Sequence, residues 1–260
     1  KEAQKEHSQL ESIKNELAAA TEIQQAILPR RFPPFPELQA KVDIFAYIKP
    51  AKDVGGDFYD FFQINEDHVG CIVAEVSGKG LPAALFMAVS RTLMHSIGLT
   101  GCTTHECISR TNRLLSIENE KMMFVTMFYG ILNVNTGMIT YTNAGHNAPY
   151  ILRSNNTVEC LESTKNMVVG CMDGIEFKSD TIQLGKGDSI ILYTDGVTEA
   201  FNNNNDMFDE TGLEKTLKTI NQADSKTITH TILEDLEKFV DGAPQSDDIT
   251  VLVLKYQNEG

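Results

Sequence analysis

The feature that most constrains this chain is a set of acidic side chains standing where apolar strands end. Asp57 follows Gly55-Gly56 in DVGGDFYDFF, and Glu75 closes CIVAEV just before Ser77-Gly78-Lys79-Gly80. Asp195 closes SIILYTDG with Gly196 behind it, and Asp247 and Asp248 precede ITVLVLK. A carboxylate at the mouth of a buried strand is costly to desolvate alone. Taken singly, each reads as a turn or helix-cap residue. Taken together, each beside glycine or at a strand edge, they read as ligands that share a divalent cation. An all-oxygen set of this kind suits Mg²⁺ or Mn²⁺, not zinc.

Around these positions the pattern is strand-rich from Lys41 onward. β-Branched and aromatic runs cover 44–48, 69–76, 124–134, 138–143, 149–152, 189–194 and 249–255, with Asn135-Thr136-Gly137 as a hairpin turn. Four helices are predicted. The first carries an apolar stripe of Leu81, Ala84, Leu85, Ala88, Thr92, Leu93 and Ile97, with Pro82 near its start. The second opens on Thr103 and Glu106 in capping-box spacing, and two more cover 211–220 and 225–240.

The first 28 residues are different: they contain neither Gly nor Pro, and Leu10, Ile13, Leu17, Ala20, Gln24 and Ile27 form an a/d seam. This amphipathic helix either packs on its own domain or pairs with a second copy as a short coiled coil. Pro29 ends it, and RRFPPFP reads as the core of an extended linker. The expected organisation is a linker helix at 1–28, a linker at 29–40 and one folded domain at 41–257. Because the sequence opens on Lys1, an upstream domain is expected to precede it.

Composition narrows the function. The net charge is −14, which opposes a nucleic-acid role, because a phosphate backbone demands a concentrated basic face. No apolar run is long enough to span a bilayer, and no signal peptide is present. Five scattered cysteines without a CxxC pair read as the reduced thiols of a cytoplasmic protein. The Ser77–Gly80 segment matches neither phosphate-loop pattern, though amides at a helix start there suit an anion. Cys102, His105 and Cys107 lack a fourth zinc ligand at a suitable spacing, and read as a helix start with incidental thiols. His146 reads first as a turn histidine bound to backbone and second as a base. No GxSxG elbow occurs, so any hydrolysis here would use metal-activated water.

Five segments in this order carry a resemblance: KDVGGDFYDFF, VAEVSGKGLPAALFMA, NAGHNAPYIL, LYTDGVTEA and SDDITVLVL. Together they resemble the SpoIIE/RsbU branch of the PPM, or type 2C, metal-dependent serine/threonine phosphatases. The resemblance implies an α+β fold, an α-β-β-α sandwich of two stacked, mainly antiparallel sheets flanked by helices. It implies two Mn²⁺ or Mg²⁺ ions held by Asp57, Glu75, Asp195, Asp247 and the Val76 carbonyl, with Asp248 behind them. It implies direct attack of activated water on phosphorus, without a phosphoenzyme. The expected substrate is a phosphorylated STAS-type anti-anti-sigma protein in a partner-switching pathway. An upstream sensor and a homodimer through the N-terminal helix are expected as well.

Three departures stand out. Glu75 replaces the Asp of the family's DVSGKG pattern, lengthening the side chain by one methylene. Ser77 stands where eukaryotic relatives carry a histidine assigned as general acid. Their phosphate-binding arginine has no clear counterpart, which leaves Lys52 and Lys79 as the cations that could meet phosphate. The Glu75 departure keeps a second reading open, a binding module with an impaired metal centre. A metal-dependent nuclease ranks third, because the chain has no basic groove.

Overall fold

The structure is a computed structural model describing residues 2–258; the side chains of residues 2–8, 10, 12–14 and 17 fall outside the described set. Strands β1 (Val42–Lys49), β2 (Asp57–Asn65), β3 (His68–Val76), β4 (Val125–Asn133) and β5 (Met138–Ala144) come first along the chain. They are followed by β6 (Tyr150–Leu152), β7 (Val158–Cys160), β8 (Asp180–Gln183), β9 (Ser189–Tyr193) and β10 (Ile249–Tyr256). Two five-stranded sheets result, in the orders β1-β10-β9-β6-β7 and β2-β3-β4-β5-β8, with every pairing antiparallel.

Period-two alternation explains the layering. In β9, Ile190 and Leu192 join the core between the sheets, while Ile191 and Tyr193 face outward. In β10, Leu252 and Leu254 point inward, and Val251 and Val253 point outward. Both faces are buried because α5 (Asp209–Thr219) and α6 (Ser225–Val240) cover the outer one with Leu213, Leu217, Ile228, Ile232 and Leu236. A strand covered on both sides reads as an unbroken apolar run, as SIILY and ITVLVL do. Helices α2 (Leu81–Gly98) and α3 (Thr104–Ser116) pack on the other sheet through Met87, Met94, Ile108 and Leu115. The expected α-β-β-α sandwich is therefore present.

The capping box of α3 is formed as its spacing predicts, with Glu106 accepting from the Thr103 amide at 3.0 Å. The predicted stripe of α2 is corrected. Its buried face is Ala83, Ala84, Met87, Ser90, Met94 and Ile97, whereas Leu81 and Leu85 are exposed. Ala83, Ala84, Met87 and Met94 lie against the sheet, and Leu81 and Leu85 turn to solvent. A buried polar cluster fixes this placement: Asp60 of β2 accepts from Arg91 Nη2 at 3.1 Å and contacts His95 at 2.7 Å, both on α2.

Helix α1 (Glu2–Ala26) ends against the domain. Gln24 and Leu28 are buried, and Leu28 belongs to the core between the sheets. The reading of a helix packed on its own domain thus holds for the last turn. Of the seam proposed for pairing, Leu10, Ile13 and Leu17 have side chains outside the described residues. The segment expected as an extended linker is docked as well: the Phe32 ring packs at a tilt 4.8 Å from that of Phe45 in β1, and Leu38 is buried. Among the described residues, no helix is long and apolar enough to cross a membrane.

Candidate active site

The acidic residues singled out in the sequence converge at one end of the sandwich, where both sheets contribute. Asp57 begins β2 and Glu75 lies directly opposite it near the end of β3. From the other sheet, Asp195 opens the short helix α4 (Asp195–Thr198) directly after β9. Asp247 and Asp248 immediately precede β10. The mouth is lined by Asp57, Glu75, Val76, Lys79, Asp247 and Asp248, with Lys52 at its rim.

Asp57 is buried, and its Oδ2 accepts from the hydroxyls of Thr194 and Thr250, each at 2.7 Å. Thr250 lies in β10 of the opposite sheet and Thr194 directly follows β9, so the carboxylate ties the two layers together. Even with these bonds the Asp57 carboxyl is held well above its ordinary pKa, first by burial and then by the Glu75 charge. Glu75 is pushed up to about 8 by burial, with the charges of Asp195, Asp247 and Asp248 adding to it. It hydrogen-bonds to Asp195, itself raised by burial and by Glu199. The direction within the pair is clear: Glu75 holds the proton and donates it to the Asp195 carboxylate.

Asp248 is the organiser. Its Oδ1 accepts the Ala51 amide and its Oδ2 the Gly56 amide, each at 2.8 Å, so it shapes the glycine turn ahead of Asp57. Gly196 is required for the same closeness, because a methyl group there would run into the Asp248 carbonyl. The turn is gripped from its other side by Gln24, whose amide donates to the Gly55 carbonyl at 2.6 Å and accepts from its N–H at 3.1 Å.

Lys79 is engaged at the mouth, where its ammonium lies 2.6 Å from Asp247 and 3.2 Å from the Ser246 carbonyl. Lys52 is exposed at the rim. His146 does not open onto solvent: its ring is buried, its Nδ1 meets the Thr126 hydroxyl at 3.0 Å, and burial depresses its pKa to about 4. This matches a neutral structural histidine. His105 contacts Ser179 at 3.0 Å, in keeping with a helix start and not a zinc site.

The donor chemistry fits hard divalent cations: oxygen ligands only, mutually repelling and mostly withdrawn from water. As the side chains stand, no three His, Cys, Asp or Glu among the described residues form a group ready to hold a metal ion. Glu75 is turned to Asp195, and Asp247 to Lys79, so a proton and an ammonium carry the compensation. Thr194, Thr250 and Gln24 are participants that motif reading missed. The threonines were hidden as ordinary β-branched strand residues, and Gln24 as one position of a helical seam.

Residues 65–257 match the family described as Stage II sporulation protein E (SpoIIE). Phosphoserine phosphatase RsbU of Bacillus subtilis is 32% identical, over 97% of this chain and 75% of its own length. Protein IcfG of Synechocystis is also 32% identical, over 94% of this chain, which spans only 42% of IcfG. The SiaA-PP2C domain of Pseudomonas aeruginosa superposes with a TM-score of 0.83 over 95% of this chain and 98% of that domain. At 22% identity that likeness speaks for the fold. With the acidic motifs in order, the sandwich formed and the family matched over most of its length, the chain belongs to the SpoIIE/RsbU-type PPM family of metal-dependent protein serine/threonine phosphatases.

Proposed function

We propose that this chain removes phosphate from phosphoserine or phosphothreonine of a small regulatory protein, a STAS-type anti-anti-sigma factor, in a partner-switching pathway. The observation that carries the reading is the meeting of Asp57 and Glu75 from one sheet with Asp195, Asp247 and Asp248 around the other. Asp57, Glu75, Asp195, Asp247 and the Val76 carbonyl would hold two Mn²⁺ or Mg²⁺ ions. When bound, these supply Lewis-acid activation of water and of the phosphoryl oxygens, and offset the −14 net charge toward an anionic substrate.

The remaining chemistry belongs to the chain. Thr194 and Thr250 orient Asp57, and Asp248 sets the backbone beside it. Glu75 must release its proton, and Asp247 its lysine, before either serves as a ligand; metal affinity is therefore expected to rise with pH. Lys79, freed from Asp247, and Lys52 at the rim would meet a phosphoryl oxygen. Residues 1–28 would pass a signal from an upstream sensor, pairing in a dimer, to the domain at 41–257 in the cytoplasm. The Gln24 grip on Gly55 gives that signal a physical route to Asp57.

A second reading, a binding module with an impaired centre, draws on Glu75 and its proton-sharing contact with Asp195. One experiment separates them: phosphate release from p-nitrophenyl phosphate and a phosphoserine protein, with Mn²⁺ titrated, in the parent, Glu75→Asp and Asp195→Asn. Mn²⁺-dependent turnover in the parent that disappears in Asp195→Asn establishes the phosphatase. A silent parent with an active Glu75→Asp variant establishes the impaired centre. Silence in every variant overturns the catalytic reading.

A further inference from the structure

A second concavity flanks the mouth on the far side of the Asp195 and Asp247 segments. Its volume is about 360 Å³, and Tyr47, Phe201, Leu233, Val240, Ala243 and Pro244 supply its apolar walls. Its lining includes Gly196, the neighbour of Asp195, and Ser246, the neighbour of Asp247. Ser246 also lines the carboxylate mouth, so the groove and the mouth meet across one residue.

The groove is braced. The Gln245 side chain donates to the Lys49 carbonyl at 2.9 Å and to the Asp247 carbonyl at 2.8 Å, strapping the floor to the start of β10. Phe201 is 42% exposed, and every other Phe or Tyr among the described residues is buried or half-buried. The loop behind it is closed by the Phe201–Met207 bridge, with the Asn202 carboxamide accepting from the Asn204 and Asp206 amides at 2.9 and 3.0 Å. An exposed aromatic ring held at the lip of an apolar groove is the signature of a contact surface. Lys49 and Glu237, also lining it, are of opposite sign, so the groove offers nothing to a second phosphate.

We propose that this groove receives an apolar side chain of the phosphoprotein substrate, a few residues from its phosphoserine. The inference rests on the phosphatase reading above and adds the specificity element that reading lacks. The carboxylate mouth handles a phosphoryl group common to every phosphoprotein. The adjoining groove can distinguish among them, because burying one aliphatic side chain in such a pocket changes selectivity by about tenfold or more.

The test uses phosphoserine dodecapeptides in which one leucine is walked through the flanking positions of a serine background. Leucine at one or two positions is expected to lower KM about tenfold relative to the all-serine parent. Phe201→Asp and Pro244→Asp, both at exposed sites, are expected to erase that preference. Leu85→Asp, on the exposed face of α2, is expected to keep it. Fluorescence anisotropy with the unphosphorylated leucine peptides reads the groove without the metal site, and the same position is expected to bind best. A flat leucine scan in both assays overturns the proposal, as does a preference that survives Phe201→Asp and is lost in Leu85→Asp. Loss of p-nitrophenyl phosphate turnover throughout, with leucine-dependent anisotropy intact, would overturn the phosphatase reading and retain the groove.

Discussion

Glu75 gives the sharpest quantitative expectation for the metal-free chain. Its carboxyl is raised from 4.5 to about 8 in the folded state. Below pH 4.5 both folded and unfolded chains hold the proton, so the group contributes nothing. As pH rises from there, the unfolded chain releases the proton while the folded chain keeps it. Each unit then costs the folded state about 1.4 kcal/mol, until the loss levels off near the folded pKa. The full penalty is about 3 to 5 kcal/mol on that scale. Glu75→Gln removes it while preserving a donor toward Asp195. In EDTA, urea unfolding followed by circular dichroism at pH 5, 7 and 8.5 should show the parent losing stability across the series. The variant should lose about 3 kcal/mol less, a midpoint difference of about 1 M urea or more. Asp57, raised by the same burial, leaves both chains a residual slope of the same sign. Parallel pH profiles for parent and variant would refute the reasoning, since Glu75 would then titrate as an ordinary carboxylate. Excess Mn²⁺ should reverse the parent's slope, because ligand binding releases the proton that the metal-free cluster holds.

Two other substitutions probe the scaffold that presents the site. Arg91→Met leaves the buried Asp60 with only His95 and the Phe61 amide as partners, and should destabilise the fold by about 3 to 5 kcal/mol in thermal or urea unfolding. Its effect on phosphate release should follow from lost folded protein and not from a changed KM. Gln24→Leu strips both partners from the buried Gly55 peptide group, costing about 2 kcal/mol, and should lower Mn²⁺ affinity in a calorimetric titration because the turn before Asp57 loosens. Unchanged metal affinity in that variant would sever the proposed link between α1 and the site.

How much was legible beforehand depends on the range of each signal. Thr103 and Glu106 specify the start of α3 because a capping box acts over three residues. The stretch SIILY declares a strand buried on both faces because alternation needs only its own length. The α2 stripe misled because periodicity marks an apolar face without saying which side a sheet will cover. Leu81 and Leu85 satisfied the helical spacing and still face solvent, while Ala83 and Ala84 permit close packing.

The site divides in the same way. Sequence by itself determined which carboxylates stand at strand mouths, that they are oxygen donors suited to a divalent ion, and that the chain is patterned for a two-sheet sandwich. Tertiary structure decided their company. Asp57 meets Thr250 of the opposite sheet and Thr194 directly after β9, Lys79 reaches Asp247 from across the chain, and Gln24 closes on Gly55. Those contacts come from elements far apart along the chain, brought together by strand order and by the stacking of the two sheets. Local propensity extends over a helical turn or a strand, whereas the shifts of Asp57 and Glu75 arise from burial and from charges that only the closed sandwich brings within range.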